Sequence, residues 1–354
     1  MKINGEMVTL AREFRELTQQ ALATKLNVGQ STVAKIEAGQ KSDVEDDLLR
    51  RISESLEFPQ TFFGQSEELL TFGSSAYFYR KRASLTAADR KRIHSIVNLL
   101  RIGLRKMLRH VDVEPRRPLP QLDLEEYGNS PTRAAQALRG LWSLPDGPVK
   151  DLTGLVESAG VIIFRCSFNT RKFDGTSLRL ADMPPMIFMN ADLPGDRWRY
   201  TLSHELGHLV MHTVPYEAME DEADEFAAEF LTPEHSIKPQ LVQVHRWTAR
   251  DIAQLKLYWR VSLHMLVKRA SDLNVIDANQ TRSAFIALSP HRQQEPIPIE
   301  QEMPTSLQKI VEAISEELEF GQEGLSAMLH WIGEVTEQLL PFSEKAPTRL
   351  RLVR

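Results

Sequence analysis

Tyr200 to His212 reads YTLSHELGHLVMH, two histidines flanking a glutamate inside an apolar run, with a further histidine at its end. In an α-helix, His204 and His208 project about 40° apart and one turn along the axis, close enough to grip one ion. Leu206, Leu209 and Val210 make the remaining positions apolar, as a buried helix requires, and Gly207 is read as leaving space on the histidine side. His212 continues the spacing to i+8. A continuous helix carries it about 12 Å from His204, too far to share an ion bound at about 2 Å, so it is read as a surface or outer-sphere histidine.

The pattern HExxH has a mechanical content. Two neutral imidazoles bind a zinc-type ion, an open position holds water whose pKa falls, and the intervening carboxylate, Glu205 here, takes its proton. A third ligand is available downstream. Within MEDEADEFAAEFLTP, Glu220 and Asp224 stand four apart on one helical face, so one can ligate while the other orients a ligand histidine; Glu222 points roughly the other way.

Working outward, VIIFRCSF, TSLRLAD and MIFMNAD read as strands, punctuated by Gly175 and by Pro184-Pro185. Helices precede them (TRAAQALRGLW, KDLTGLVESAG) and follow from Glu220 to about Leu273. These features define an α+β domain over residues 132–275. After it, the proline-containing SPHRQQEPIPIEQEMP leads to a last helical pair and the basic tail RLRLVR, a helical region over 276–354.

Residues 1–66 carry no strand pattern and read as an all-α domain of short amphipathic helices. Thr18 is suited to cap TQQALATKL. Four residues, LNVG, then separate that helix from one starting at Gln30, which opens with polar Gln30, Ser31 and Thr32 and turns Val33 and Ile36 inward. This layout lets an exposed helix N-terminus approach base edges, as in a helix-turn-helix. The same bundle could instead serve protein contact alone. Acids outnumber bases over residues 1–64, and Asp43, Glu45, Asp46 and Asp47 cluster just after the candidate recognition helix, where phosphate would be repelled.

A length of 354 residues argues for more than one domain, and a net charge of −5 excludes a globally basic nucleic-acid binder. Charge is unevenly distributed. Arg80 to Arg117 holds twelve Lys/Arg against three Asp/Glu, and within it Thr86 to His110 shows helical spacing with basic residues on the solvent sides. Residues 67–131 therefore read as a basic helical connector and proline-containing linker. The single cysteine, Cys166, rules out an intramolecular disulfide framework and reads as a small core residue. No apolar run is long enough to span a bilayer and no secretory leader is seen, so a cytoplasmic protein is expected.

The segment TQQALATKLNVGQSTVAKIEAG resembles the Cro/CI-type (XRE) helix-turn-helix family. The resemblance implies that Gln30, Ser31, Thr32 and Lys35 read bases or phosphates of a DNA operator. It also implies that Gln19 contacts a backbone phosphate, that Arg12 and Glu37 form a buried ion pair, and that a homodimer binds paired half-sites.

WRYTLSHELGHLVMH followed by EDEADEFAAEFLTP resembles the ImmA/IrrE family of metallopeptidases, with a zincin-like, minimal thermolysin-like fold. That resemblance implies His204, His208 and Glu220 as metal ligands, Glu205 as catalytic base and Asp224 beside the ligands. The cofactor is then Zn2+, with Mn2+ suited to the same ligands. It further implies an edge strand, assigned to MIFMN, that holds an extended peptide, and a helix-turn-helix repressor as protein substrate. The alternative is a transcriptional regulator whose peptidase-like domain senses metal or ligand without proteolysis.

Overall fold

This computed structural model describes residues 2–70, 77–78, 85–291, 295–319 and 321–340. Four short helices come first: α1 (Gly5–Phe14), α2 (Gln19–Lys25), α3 (Gln30–Glu37) and α4 (Asp46–Leu56). Asn4 and Thr18 accept backbone N–H groups at the starts of α1 and α2, satisfying donors that a first helical turn leaves unpaired. At Gly5, α1 meets α3 so closely that a β-carbon would overlap the Ile36 and Glu37 carbonyls. Arg12 pairs with Glu37 across the same junction at 2.6 Å, both nearly excluded from solvent.

A two-residue strand, β1 (Tyr77–Phe78), precedes α5 (Ala87–Met107). Thr86 and Asp89 close a capping box at the start of α5. The sequence places basic side chains on the solvent sides of this helix, and Arg90 and Lys91 are indeed exposed. Arg101 and Lys106 are instead buried, which is tolerable only because each meets acceptors. Arg101 donates to the Glu68 carbonyl, and Lys106 to the Gln65 side chain and the Leu329 carbonyl. Burial pushes the Lys106 ammonium down to about 8. Arg80, Lys81 and Arg82, and the tail RLRLVR, lie outside the described residues.

After α6 (Pro131–Leu141) and α7 (Leu152–Ser158) come β2 (Ile162–Cys166), β3 (Gly175–Leu178) and β4 (Met186–Asn190). The sheet order is β1-β3-β4-β2. β4 runs parallel to β2 and antiparallel to β3, and β1 pairs antiparallel on the other side of β3. MIFMN is therefore a central strand, correcting its assignment as the edge. All five of its residues are buried and both its backbone edges are paired.

The chain continues through α8 (Gly195–Met211), α9 (Met219–Leu231), α10 (Glu234–Leu241), α11 (Ala253–Trp259), α12 (Leu263–Asp272) and α13 (Ala278–Leu288). The described residues end with three helices where the sequence suggests two: α14 (Ser306–Glu317), α15 (Gln322–Leu329) and α16 (Gly333–Leu339). No helix among the described residues is long and apolar enough to cross a membrane.

Strand alternation divides the apolar side chains between two cores. Val161, Ile163, Ile187 and Met189 face α8 and the helices from α6 to α13. Ile162, Phe164, Cys166 and Phe188 face the other way, into a core built from α1, α4, α5, α14 and α15, with the Phe164 and Phe188 rings stacked. Cys166 is buried there and its thiol pushed up by burial, consistent with a packing role.

The proline-containing segment before α14 is strapped over the start of α8. Glu302 pairs with buried Arg199 and accepts from Thr153 N, and Glu295 pairs with buried Lys256. A β-carbon on Gly195 would overlap the Ile299 and Glu300 backbone.

Candidate metal centre

α8 presents His204, Glu205 and His208 toward one end of α9. Gly207 serves the contact between these two helices: a β-carbon there would press on the Phe226 ring at 3.0 Å, so its space belongs to helix packing and not to the histidine side.

The Nε2 atoms of His204 and His208 lie 3.1 Å apart. Glu220 completes a triangle, with Oε2 at 3.6 Å from His204 Nε2 and Oε1 at 3.4 Å from His208 Nε2. Ligand atoms of the three residues all lie within 4.8 Å of one another. Both Glu220 oxygens are buried without a hydrogen-bond partner, a costly state for a carboxylate unless something else meets it. Two imidazoles and a carboxylate are a donor set that suits a divalent cation of the zinc type, so the residues fit such an ion.

Electrostatics at the triangle are strongly coupled. Burial would raise the Glu220 carboxyl, but the two imidazoles outweigh it and hold it down at about 2. Burial pushes His208 down to about 4. In His204, burial acts in the same sense but is overcome by Asp224 and Glu220, which raise it to about 10. With their Nε2 atoms in contact, the rings have room for one proton between them.

Glu205 is 3% exposed. Ser177 on β3 donates to its Oε2 at 2.7 Å. Burial pushes the carboxyl up to about 7, with His204 and Ser177 pulling the other way. Ser177 escaped the sequence reading, since an ordinary strand serine carries no signal of its partner across the fold.

Each histidine has a partner on its far nitrogen. His204 Nδ1 lies 2.8 Å from Asp224 Oδ1, which also accepts from the Tyr200 hydroxyl at 3.0 Å. His208 Nδ1 lies 2.8 Å from His212 Nδ1. His212 is 1% exposed, so it is no surface histidine, and its Nε2 lies 3.1 Å from Glu222 Oε2. The Tyr216 hydroxyl bonds the same Glu222 oxygen. Glu222 thus belongs to this site even though it points away from the face shared by Glu220 and Asp224. His235 belongs elsewhere, paired with Asp146.

A small recess opens over the group, lined by Phe173, Asp174, Gly175, Tyr200, Thr201, His204, Glu205 and Asp224. Gly175 brings the backbone of β3 to its wall.

Two family models match the chain, a peptidase model described as the IrrE N-terminal-like domain over residues 156–271 and a helix-turn-helix model over residues 10–59. The chain joins a helix-turn-helix domain to an IrrE-like peptidase domain. It is an enzyme of metallopeptidase type with a DNA-binding module ahead of it. A comparison with curated proteins gave no match.

In the helix-turn-helix domain, Gln30, Ser31 and Lys35 on α3 are exposed and Thr32 is half-buried, while Val33 and Ile36 are buried beneath them. Gln19 donates its amide to Glu37 at 2.8 Å, joining the Arg12 pair. The acids at 46 and 47 fall in the first turn of α4, where the helix dipole favours them, and Asp47 pairs with Arg50 and Arg51.

Proposed function

We propose that the chain is a metal-dependent endopeptidase fused to a sequence-specific DNA reader, and that it relieves repression in the cytoplasm by cleaving a helix-turn-helix repressor. The convergence of His204, His208 and Glu220 beside the buried Glu205 carboxylate supports this reading. In it, residues 1–66 read DNA, residues 132–275 hydrolyse and residues 67–131 connect the two.

A divalent cation on those three side chains, zinc by preference and manganese by the same donors, supplies the Lewis acidity that polarises a peptide carbonyl and acidifies water. Glu205 takes the proton of the attacking water and returns it to the leaving amine. Ser177 fixes which carboxylate oxygen faces the reaction, and Asp224 holds the His204 ring by its Nδ1. A peptide laid along the part of β3 that β1 leaves unpaired, Gly175 and Thr176, would pass the recess. At the other end, Gln30, Ser31, Thr32 and Lys35 approach bases or phosphates and Gln19 a phosphate, with a homodimer spanning paired half-sites.

The test pairs metal content with cleavage. The purified chain should hold one divalent ion, and Glu205→Gln should keep that ion while losing cleavage of a co-expressed repressor by at least about a hundredfold. Metal retained with the repressor intact in both proteins, alongside operator binding, would leave a metal-sensing regulator in its place.

A further inference from the structure

We infer that Glu222 is a positioning residue for the metal, acting on His208 through His212. The inference rests on the metal-centre reading above.

The two candidate ligand histidines are held differently. His204 Nδ1 faces a carboxylate oxygen of Asp224 at 2.8 Å. That acceptor draws the ring proton to Nδ1 and leaves the Nε2 lone pair for a cation. His208 Nδ1 faces another imidazole nitrogen, His212 Nδ1, also at 2.8 Å. Two neutral imidazoles can bond in this way in either sense, one donating and the other accepting, so the contact alone leaves both tautomers open.

Glu222 settles the direction. Its Oε2 lies 3.1 Å from His212 Nε2, and an ionised carboxylate only accepts. His212 therefore carries its proton on Nε2 and offers Nδ1 as an acceptor. His208 must then donate from Nδ1, which turns its Nε2 lone pair toward His204 Nε2 at 3.1 Å and Glu220 Oε1 at 3.4 Å. The reverse arrangement would aim a His208 N–H at the cation. The Tyr216 hydroxyl bonds the same Glu222 oxygen and steadies it. One ligand is thus oriented by a carboxylate directly, and the other by a carboxylate acting through a second ring.

Long-range proton–nitrogen correlation spectra of the full chain, metal-free and with zinc added, report the tautomer of each ring. His212 should be protonated at Nε2 and His208 at Nδ1. Zinc affinity, read by competition with a chromophoric chelator, should fall about 10–100-fold in Glu222→Ala. Glu222→Gln should recover most of that loss, because its amide oxygen still accepts from His212; a merely structural role would not show this rescue together with the change in the His208 signals. His212 protonated at Nδ1 in the unaltered chain overturns the inference even if the alanine variant does not fold, and so does an alanine variant within about twofold of the parent's affinity. Failure of the unaltered chain to take up zinc would instead overturn the metal-centre reading and the inference with it.

Discussion

Ser177→Ala removes one hydroxyl, and the structure says what that hydroxyl does. It donates to Glu205 Oε2 at 2.7 Å, and a carboxyl that is 3% exposed has little water to replace it. A hydrogen bond to a charged group contributes about 1.5–3 kcal/mol. Since about 1.4 kcal/mol corresponds to one pKa unit, losing the bond should raise Glu205 by about one to two units. Burial already pushes the group up to about 7, and Ser177 is among the influences holding it down, so the sign is upward. A general base works only when ionised, and activity therefore appears as pH rises through its pKa. The acid limb of kcat/KM should move to higher pH by that amount, costing about ten- to a hundredfold on the acid side and recovering in alkali. A cation at the neighbouring donors lowers the limb in both proteins alike, so the difference between them is the quantity to read. The assay is peptide or repressor hydrolysis across acid to alkaline pH at matched metal content. An unmoved limb, or activity lost evenly at every pH, would refute the argument that Ser177 tunes the base.

Other expectations follow from the packing and from the exposed recognition helix. Gly5→Ala would push a methyl group into the Ile36 and Glu37 carbonyls and should destabilise the DNA-reading domain by about 1–3 kcal/mol, seen as a lower melting temperature. Glu302→Ala strands the buried Arg199 guanidinium and should cost about 3–5 kcal/mol in denaturant titration; a loss below about 1 kcal/mol would show that the strap is not held by this pair. Gln30→Ala combined with Thr32→Ala should abolish operator preference in a DNA-binding titration at fixed salt, at about 1–3 kcal/mol per lost base contact, while leaving peptide hydrolysis unchanged.

Local signals made part of this molecule legible in its sequence. Thr18 followed by an amphipathic run locates α2, and the four-residue spacing of His204 and His208 puts two imidazoles on one face of α8 whatever lies around them. The errors concern relations between distant segments. MIFMN is central because β2 and β3 flank it, an order no single strand encodes, although its unbroken apolar run hinted at burial on both faces. Arg101 and Lys106 look solvent-facing until the Glu68 and Leu329 carbonyls arrive from elsewhere in the chain to receive them. Distance from His204 along the helix axis keeps His212 out of the expected ligand set. That distance says nothing of its ring contacting His208 from outside.

The four-stranded sheet acts as a party wall. Its Ile163 and Met189 side furnishes the catalytic half, and its Phe164 and Phe188 side furnishes the half that holds the DNA reader and the closing helices. A fragment trimmed to residues 156–271 would expose that second side to water, at about 1.5–3 kcal/mol for each large apolar side chain laid bare. Exchanging the DNA reader for another therefore demands a replacement apolar surface of matching shape, and the two activities travel as one piece of architecture.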